Sequence, residues 1–248
     1  MENIGKRYGN VVALKNIDLE IGGNEIVGLI GDNGAGKSTL IKILTGVEAP
    51  TSGRMYVRGK PVDFADYSVR KAHELGVETV YQESSLGDKQ PLWRNFFVGR
   101  NLTNRWGFIK VKEQKRIARQ VLMGAIGFRG AGLDVDATVG RLSGGERQGV
   151  AIGRAMHFDA DLIVLDEPTV ALAVMEVRKV LDFIADIKQS GRACLYIEHT
   201  LAQVHQLADR LLIMDRGEIV RIYRQGEVSL DELTNYMLAL HGDQEAAA

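Results

Sequence analysis

The hydrophobic and polar positions of the chain form two alternating patterns. Short runs of consecutive apolar residues, bounded by Gly or Asp, predict strands buried on both faces, as in a parallel sheet. The runs lie at 26–30, 162–165, 193–197 and 211–214. Apolar residues at helical spacing separate them and predict helices with one buried face: Val177, Val180, Leu181, Ile184, Ile187, and then Leu201, Val204 and Leu207. This alternation predicts an α/β protein built from right-handed βαβ units.

Three regions depart from that alternation. Residues 11–21 and 53–62 read as short antiparallel strands with Gly turns. Residues 90–148 contain a helical pattern but no strand run, which predicts a mostly helical insertion. Little of the chain follows Ile222, and the polar and alanine-rich end from Asp243 is expected to be frayed.

Composition narrows the class of protein. The 248 residues carry a net charge of −1, so no overall basic excess points to nucleic acid or anionic lipid. The apolar runs are far shorter than the roughly 20 residues of a membrane span. The only cysteine is Cys194, which excludes a disulfide framework within the chain. The start of the chain lacks the apolar core of a secretory signal, so a cytoplasmic location is expected.

The first chemical motif is a glycine-rich phosphate loop. It fits the pattern G-x4-G-K-[ST], follows the strand predicted at 26–30 and opens a predicted helix. Glycines let backbone N–H groups turn toward phosphate oxygens, and the helix N-terminus adds positive potential. Lys37 is expected to reach the β- and γ-phosphates and Ser38 to ligate Mg²⁺. The loop comprises Gly31, Asp32, Asn33, Gly34, Ala35, Gly36, Lys37, Ser38 and Thr39.

The second motif is a pair of carboxylates at the end of a predicted strand, Asp166 and Glu167. Ligands bind at the carboxyl ends of parallel strands. Asp166 is therefore expected in the Mg²⁺ shell, and Glu167 is expected to orient or deprotonate the water that attacks the γ-phosphate. Without the phosphate loop, two solvated acids before Pro168 would explain the pair equally well.

The third motif is Leu-Ser-Gly-Gly-Glu, which precedes another predicted helix. Ser143 can cap that helix, and Gly144 and Gly145 expose backbone N–H groups, with Glu146 following. An ordinary Ser-Gly helix start is the alternative. As an anion site, the motif lies more than 100 residues from the phosphate loop.

These three motifs, in this order, resemble the nucleotide-binding subunit of ATP-binding cassette (ABC) transporters over about residues 3–225. The resemblance implies a P-loop NTPase fold, with a RecA-like parallel sheet core, an N-terminal antiparallel β subdomain and a mostly helical insertion. It implies one ABC ATPase domain over 1–248, with a core at about 1–89 and 149–225, a helical subdomain at about 90–148 and a tail at about 226–248. ATP and Mg²⁺ are the implied substrate and cofactor.

The resemblance assigns three further positions. Tyr8 occupies the place where the family stacks an aromatic ring on adenine, although a surface tyrosine is the alternative. Gln82 matches the loop glutamine that meets Mg²⁺ and faces the membrane partner. His199 matches the switch histidine at the γ-phosphate. The implied catalytic residues are Glu167, His199 and Gln82, and the implied metal ligands are Ser38, Gln82 and Asp166.

In the resembled family, two subunits face each other head to tail. The phosphate loop of one and the Ser143–Glu146 segment of the other then sandwich one ATP, and hydrolysis reopens the dimer. A homodimer at the cytoplasmic face of the cell membrane is implied. It would be held there by separate integral-membrane permease subunits, and an extracytoplasmic binding protein would deliver the substrate.

Two features concern the kind of transporter and the coupling between its two ATP sites. The stretches 80–83, 171–176 and 204–210 resemble importers of simple sugars such as ribose, xylose or fructose. The family usually has Asp where Ala173 stands, so coupling between the two ATP sites is in question. Another transported class (amino acid, lipid or an exported substrate), an ABC ATPase acting on DNA or ribosomes, and a non-hydrolysing regulator are the alternatives.

The segment 83–98 is unusually apolar, with Pro91, Leu92, Trp93, Phe96 and Phe97 following the Gln82 loop. Exposed apolar patches mark interfaces, so the segment could form the surface that docks on the permease. The core of the helical insertion is the competing interpretation. Burial of these side chains distinguishes the two.

Overall fold

A computed structural model describes residues 1–80, 86–125 and 134–245. Its main sheet has six strands in the order β11-β10-β3-β9-β8-β7. Five strands are parallel and the edge strand β11 is antiparallel to β10. The strands are β3 (Ile26–Gly31), β7 (Val77–Val80), β8 (Leu162–Asp166), β9 (Ala193–Ile197), β10 (Arg210–Asp215) and β11 (Glu218–Arg224). All four strands predicted from apolar runs are confirmed.

The two faces of this sheet are covered by separate hydrophobic clusters. Every residue of β3 and of β9 is buried, which explains their continuous hydrophobicity. One cluster joins the sheet to helices on one face, and the other joins it to two helices and the N-terminal strands. The helices are α1 (Lys37–Leu44), α2 (Val69–Glu74), α5 (Gly144–His157), α6 (Val174–Gln189) and α7 (Leu201–Leu207).

The N-terminal antiparallel strands are confirmed. A three-stranded sheet has the order β2-β1-β4, and β5 pairs with β6. Ile4, Leu14 and Ile17 point into the cluster shared with α1, so this unit holds the phosphate-loop helix against the main sheet. The strands are β1 (Glu2–Tyr8), β2 (Val11–Ile17), β4 (Ser52–Arg54), β5 (Tyr56–Val57) and β6 (Lys60–Pro61).

The region between β7 and α5 is helical where it is described. It contains α3 (Leu92–Phe96), α4 (Val111–Ala125) and a 3₁₀ turn at Val139–Arg141. Within 86–125 and 134–143 the only β pairings are isolated bridges. Leu92, Trp93, Phe96 and Phe97 are buried, at 0–6% exposure, in a third cluster. The docking hypothesis for these side chains is therefore wrong, because they pack the core of the helical region.

The chain continues after β11 into α8 (Leu230–Glu245). Val228, Leu233 and Met237 are buried in the main cluster, so this helix covers part of the sheet. The segment expected to be a tail, at about 226–248, thus contains a helix that was not predicted, because few apolar residues signal it. The boundaries at 89/90, 148/149 and 225/226 remain predictions, and α5 runs across the second of them. No helix in the described ranges combines the length and hydropathy needed to cross a bilayer.

Candidate functional site

Three neighbouring strands bring most of the predicted site residues to one edge of the main sheet. Strands β3, β9 and β8 are adjacent and parallel, so their carboxyl ends lie side by side. Asp166, the last residue of β8, is in register with Ile197, the last residue of β9. The phosphate loop follows β3, Glu167 follows β8 and His199 follows β9 by two residues. This edge is therefore the candidate site.

The phosphate loop has the backbone geometry that its sequence predicts. Gly34 and Gly36 have φ values of 87° and 106°, in the left-handed region that favours glycine. A Cβ on Gly36 would lie 2.8 Å from the carbonyl oxygen of Ala13, so a side chain there is excluded. The first intrahelical bond of α1 runs from the N–H of Leu40 to the carbonyl of Gly36, 3.0 Å. The amides of the first helical turn are thus left for an anion.

The ammonium group of Lys37 lies inside this loop. Its Nζ donates to the carbonyl of Gly31 at 2.6 Å and to that of Asp32 at 3.0 Å, and the residue is 7% exposed. Burial lowers the pKa of Lys37, and the nearby carboxylates of Glu167, Asp32 and Asp166 oppose that shift. The charged ammonium is thus held beside the two strand-end carboxylates.

Glu167 and His199 form a direct contact between two strand ends. Glu167 Oε1 lies 2.6 Å from His199 Nε2, and the Glu167 N–H donates to the carbonyl of Ile197 at 2.9 Å. Glu167 has φ 50°, a conformation that is unfavourable for a residue with a side chain. Such conformations concentrate at functional sites. The structure therefore keeps the Glu167 carboxylate in contact with the His199 imidazole, although the backbone at Glu167 has an unfavourable conformation.

Asp166 and Ser38 provide oxygen ligands of the kind that Mg²⁺ prefers. Burial raises the pKa of Asp166, as does the charge of Glu167, while Lys37 and His199 oppose the shift. Within the described residues there is no group of three or more His, Cys, Asp or Glu that could hold a metal by itself. A Mg²⁺ ion held by Asp166 and Ser38 would complete its oxygen shell with nucleotide and water oxygens, as this ion commonly does.

The Leu-Ser-Gly-Gly-Glu motif begins α5 with a complete capping box. The N–H of Ser143 donates to Glu146 Oε2 at 2.9 Å, and the N–H of Glu146 donates to Ser143 Oγ at 3.3 Å. A Cβ on Gly145 would lie 2.9 Å from the Cβ of Glu176, and one on Gly144 would collide with Leu172. Both glycines therefore let α5 approach the start of α6.

The bonds of the Ser143–Glu146 segment lie near the starts of α5 and α6. Ser143 and Glu146 bond to each other, whereas Lys37 in the phosphate loop donates to the carbonyls of Gly31 and Asp32. Ser143 and backbone groups of α5 and α6 also lower the pKa of Glu176 through hydrogen bonds. The second predicted anion site thus faces a carboxylate of its own chain.

Tyr8 lies at the end of β1, beside the phosphate-loop helix. Its hydroxyl donates to Glu48, and Lys6 Nζ lies 5.0 Å from the centroid of its ring. Burial raises the pKa of Tyr8, as does its bond to Glu48, and a hydrogen bond with Thr39 lowers it. The ring is 42% exposed next to Thr39, where the adenine of a nucleotide bound at the phosphate loop could reach it.

Gln82 and Ala173 are two further positions that the sequence singled out. Gln82 lies outside the described residues; β7 ends before it at Val80, which is in register with Leu165. Ala173 is the N-cap of α6 and has no side-chain acceptor, although its N–H donates to Glu176 Oε2 at 3.2 Å. The loop that usually carries Asp thus begins α6 without a side-chain cap.

A buried hydrogen-bond network, not predicted from the sequence, lies behind the site. Glu198 is 1% exposed, and its carboxylate accepts from the Thr169 N–H at 3.1 Å, from the Thr169 hydroxyl and from the His199 N–H at 2.9 Å. Gln203 Oε1 contacts Thr169 and also accepts from Tyr196. The network ties the loop after Glu167 to the loop that carries His199. A charged residue at the end of a wholly apolar strand was its only signal in the sequence.

Replacing Glu198 by alanine is expected to lower the free energy of unfolding by about 2–4 kcal/mol, because three buried donors lose their acceptor. Urea unfolding measures this effect. Glu198→Gln keeps one acceptor oxygen and should cost less. Glu218, an exposed glutamate paired with Lys15, is the matched control, and Glu218→Ala should change stability by no more than about 0.5 kcal/mol. Equal effects of the two alanine variants would contradict the network.

Comparison with known proteins settles the family. A profile described as ABC transporter matches residues 14–170, which include the phosphate loop, the Leu-Ser-Gly-Gly-Glu motif and Glu167. The chain belongs to the ABC transporter family. Members of this family are ATPases, so the enzyme class expected from the sequence is confirmed, and ATP is the nucleotide.

The curated relatives similar to this ABC chain include proteins named for sugar import. A xylose/arabinose import ATP-binding protein of Sulfolobus acidocaldarius is 39% identical over 96% of this chain and 92% of the relative. Ribose import ATP-binding proteins of Rubrobacter xylanophilus and Hahella chejuensis are 37% and 36% identical over 96% of this chain. The chain spans about half the length of these two ribose proteins, 47% and 46%.

Solved ABC cassettes have the same fold. A nucleotide-free ATP-binding cassette from an ABC transporter is 25% identical, with a TM-score of 0.77 over 94% of this chain and 92% of that one. A cassette in its ADP conformation is also 25% identical, with a TM-score of 0.77 over 95% and 92%. The P-loop NTPase fold is therefore confirmed.

Proposed function

We propose that this ABC chain is the ATP-hydrolysing subunit of an importer for a small carbohydrate. The observation that carries the hydrolytic part is the 2.6 Å contact between Glu167 and His199 at the sheet edge where the Lys37 loop ends. The sugar class is supported by the relatives, since the first is a xylose/arabinose import protein aligned over nearly its whole length.

Each side chain at this edge has a distinct role in the proposal. Lys37 and the amides at the start of α1 bind the β- and γ-phosphates of ATP. Glu167 orients the attacking water and accepts its proton, and His199 holds the Glu167 carboxylate in place and contacts the γ-phosphate. Tyr8 stacks on the adenine. Ser38 and Asp166, with Gln82, would hold Mg²⁺, which neutralises charge on the phosphates when bound.

A head-to-tail homodimer completes the proposed site. Ser143, Gly144, Gly145 and Glu146 of one copy contact the ATP held by the phosphate loop of the other. An anion arriving there must displace the Glu176 carboxylate from its hydrogen bonds with α5. Because Ala173 stands where the family usually has aspartate, no aspartate at this position contributes to the communication between the two ATP sites.

The proposed partners are integral-membrane permease subunits, with an extracytoplasmic sugar-binding protein acting through them. The chain would then lie at the cytoplasmic face of the cell membrane, held by the permease. Closing on ATP and opening after hydrolysis would switch the permease between its two orientations, because ATP binds the closed dimer more tightly than the open one.

Uptake into vesicles tests this function. The chain is coexpressed with a candidate sugar permease, reconstituted in proteoliposomes and supplied with ATP and a sugar-binding protein. ATP-dependent uptake of labelled xylose, arabinose or ribose is the expected result, and Glu167→Gln should abolish it. Uptake of an amino acid instead would refute the sugar class, and uptake that does not depend on ATP would refute the motor.

A further inference from the structure

Two aromatic side chains project from the loop between α3 and α4. Trp106 and Phe108, here called the aromatic tip, are each 72% exposed, whereas Trp93 on the preceding helix is 6% exposed. Neighbouring Ile109 and Val111 are also exposed, at 41% and 39%. A cluster of large apolar side chains this exposed is unfavourable in water and typically marks a contact surface.

The turn that carries the tip is closed by hydrogen bonds. Asn104 Oδ1 accepts from the N–H groups of Trp106 at 2.9 Å and Phe108 at 3.0 Å. The N–H of Asn104 donates to the carbonyl of Phe108 at 2.9 Å, and Thr103 forms a β-bridge with Ile109. These bonds close the turn below the two rings. The exposure of the tip is therefore a property of the folded chain.

The segment that carries the tip is rich in basic residues. Residues 89–119 contain nine Lys or Arg and one acidic residue, Glu113, in a chain whose total charge is −1. Lys112, Arg116 and Arg119 are exposed and share one face of α4, because their spacing is four and three residues. In the described part of the chain these three form no ion pair. They lie within about 12 Å along a helix that begins three residues after the tip.

We propose that the aromatic tip and this basic face of α4 contact the surface of an anionic phospholipid bilayer directly. Aromatic rings favour the headgroup level of a bilayer, and Lys and Arg are attracted to anionic headgroups. The total charge of the chain is near zero although this surface is basic, because the acidic residues lie elsewhere in the chain. The contact would add a second attachment to the membrane, independent of any permease.

The geometry favours lipid over single-stranded nucleic acid, the other ligand that combines basic and aromatic contacts. Base stacking needs open ring faces along a basic groove. The guanidinium of Arg105 lies 5.1 Å from the centroid of the Trp106 ring and occupies one of its faces. The two rings also stand at the apex of a turn, where a flat headgroup layer can reach both.

Trp106 provides the signal for the test. Trp93 and Trp106 are the two tryptophans of the chain, and Trp93 is already buried. Adding vesicles of phosphatidylcholine with one quarter phosphatidylglycerol to the purified chain should shift its emission to the blue. Brominated acyl chains in those vesicles should quench it. Pure phosphatidylcholine vesicles should do neither, and cosedimentation with the anionic vesicles should fall steeply with salt.

Variants test the aromatic tip and the basic face of α4 separately. The double variant Trp106→Ser with Phe108→Ser should weaken cosedimentation by about tenfold or more, because it removes the rings that enter the interface. The triple variant Lys112→Gln, Arg116→Gln and Arg119→Gln should weaken it by about 100-fold. Leu238, 64% exposed on α8, provides the matched control, and Leu238→Ser should bind as the native chain does.

Four results would overturn the proposal. These are no binding to anionic vesicles, equal binding to neutral ones, binding without a change in Trp106 emission, and preferential binding of a single-stranded oligonucleotide that vesicles cannot displace. The assay requires neither ATP nor a permease, so its outcome does not depend on that of the uptake experiment. Circular dichroism of each variant confirms that it is folded before its binding is compared.

Discussion

Glu167→Gln is expected to lower kcat for ATP hydrolysis by about 10²–10⁴-fold and to turn the chain into a dimer only when ATP and Mg²⁺ are present. The glutamine amide has the size of the carboxylate and can still accept a hydrogen bond from His199 Nε2. In the native chain that nitrogen lies 2.6 Å from Glu167 Oε1, so the site keeps its shape. It cannot accept a proton from water. ATP would therefore bind and remain, and the closed state would accumulate.

Size-exclusion chromatography with light scattering measures the mass, and phosphate release measures turnover. Glu218→Gln changes an exposed glutamate on β11 and should leave both unchanged. A monomer under all conditions would show that closure needs the permease or a different second cassette, and would remove the homodimer from the proposal. Unchanged turnover would contradict the role assigned to Glu167.

Lys37→Ala is expected to weaken ATP binding by about 100-fold and to abolish measurable turnover. The lost ammonium is 7% exposed and lies within hydrogen-bonding distance of the carbonyls of Gly31 and Asp32, inside the loop that would hold the phosphates. Two charged hydrogen bonds in such a position contribute about 3 kcal/mol, which corresponds to roughly that loss of affinity.

Lys42 supplies the matched control for this variant. It is on the same helix, 48% exposed, and pairs with Glu48 rather than with the loop. Lys42→Ala should therefore bind ATP as the native chain does in isothermal titration calorimetry with a non-hydrolysable analogue. Similar losses in the two variants would mean that the helix was disturbed rather than a phosphate contact removed.

The sequence predicted the local elements of the site because each is encoded by adjacent residues. The glycines at 34 and 36 permit the loop, and the apolar run at 162–165 predicts the strand that ends at Asp166. The helix at 230–245 was missed because its buried residues are few, and the apolar segment 91–97 left docking and core equally possible. Burial alone separates those two interpretations.

What the sequence by itself determined is the set of elements, their order, and the chemical groups at the strand ends, since these depend on short-range pattern and residue type. Only the tertiary structure decided which groups meet. Glu167 and His199 are 32 residues apart and touch because β8 and β9 are neighbours in the sheet. Trp93 and Trp106 are the same residue type, yet one is 6% and the other 72% exposed. Packing of α3 against α4 and α5 buries the first, and no local pattern contains that packing.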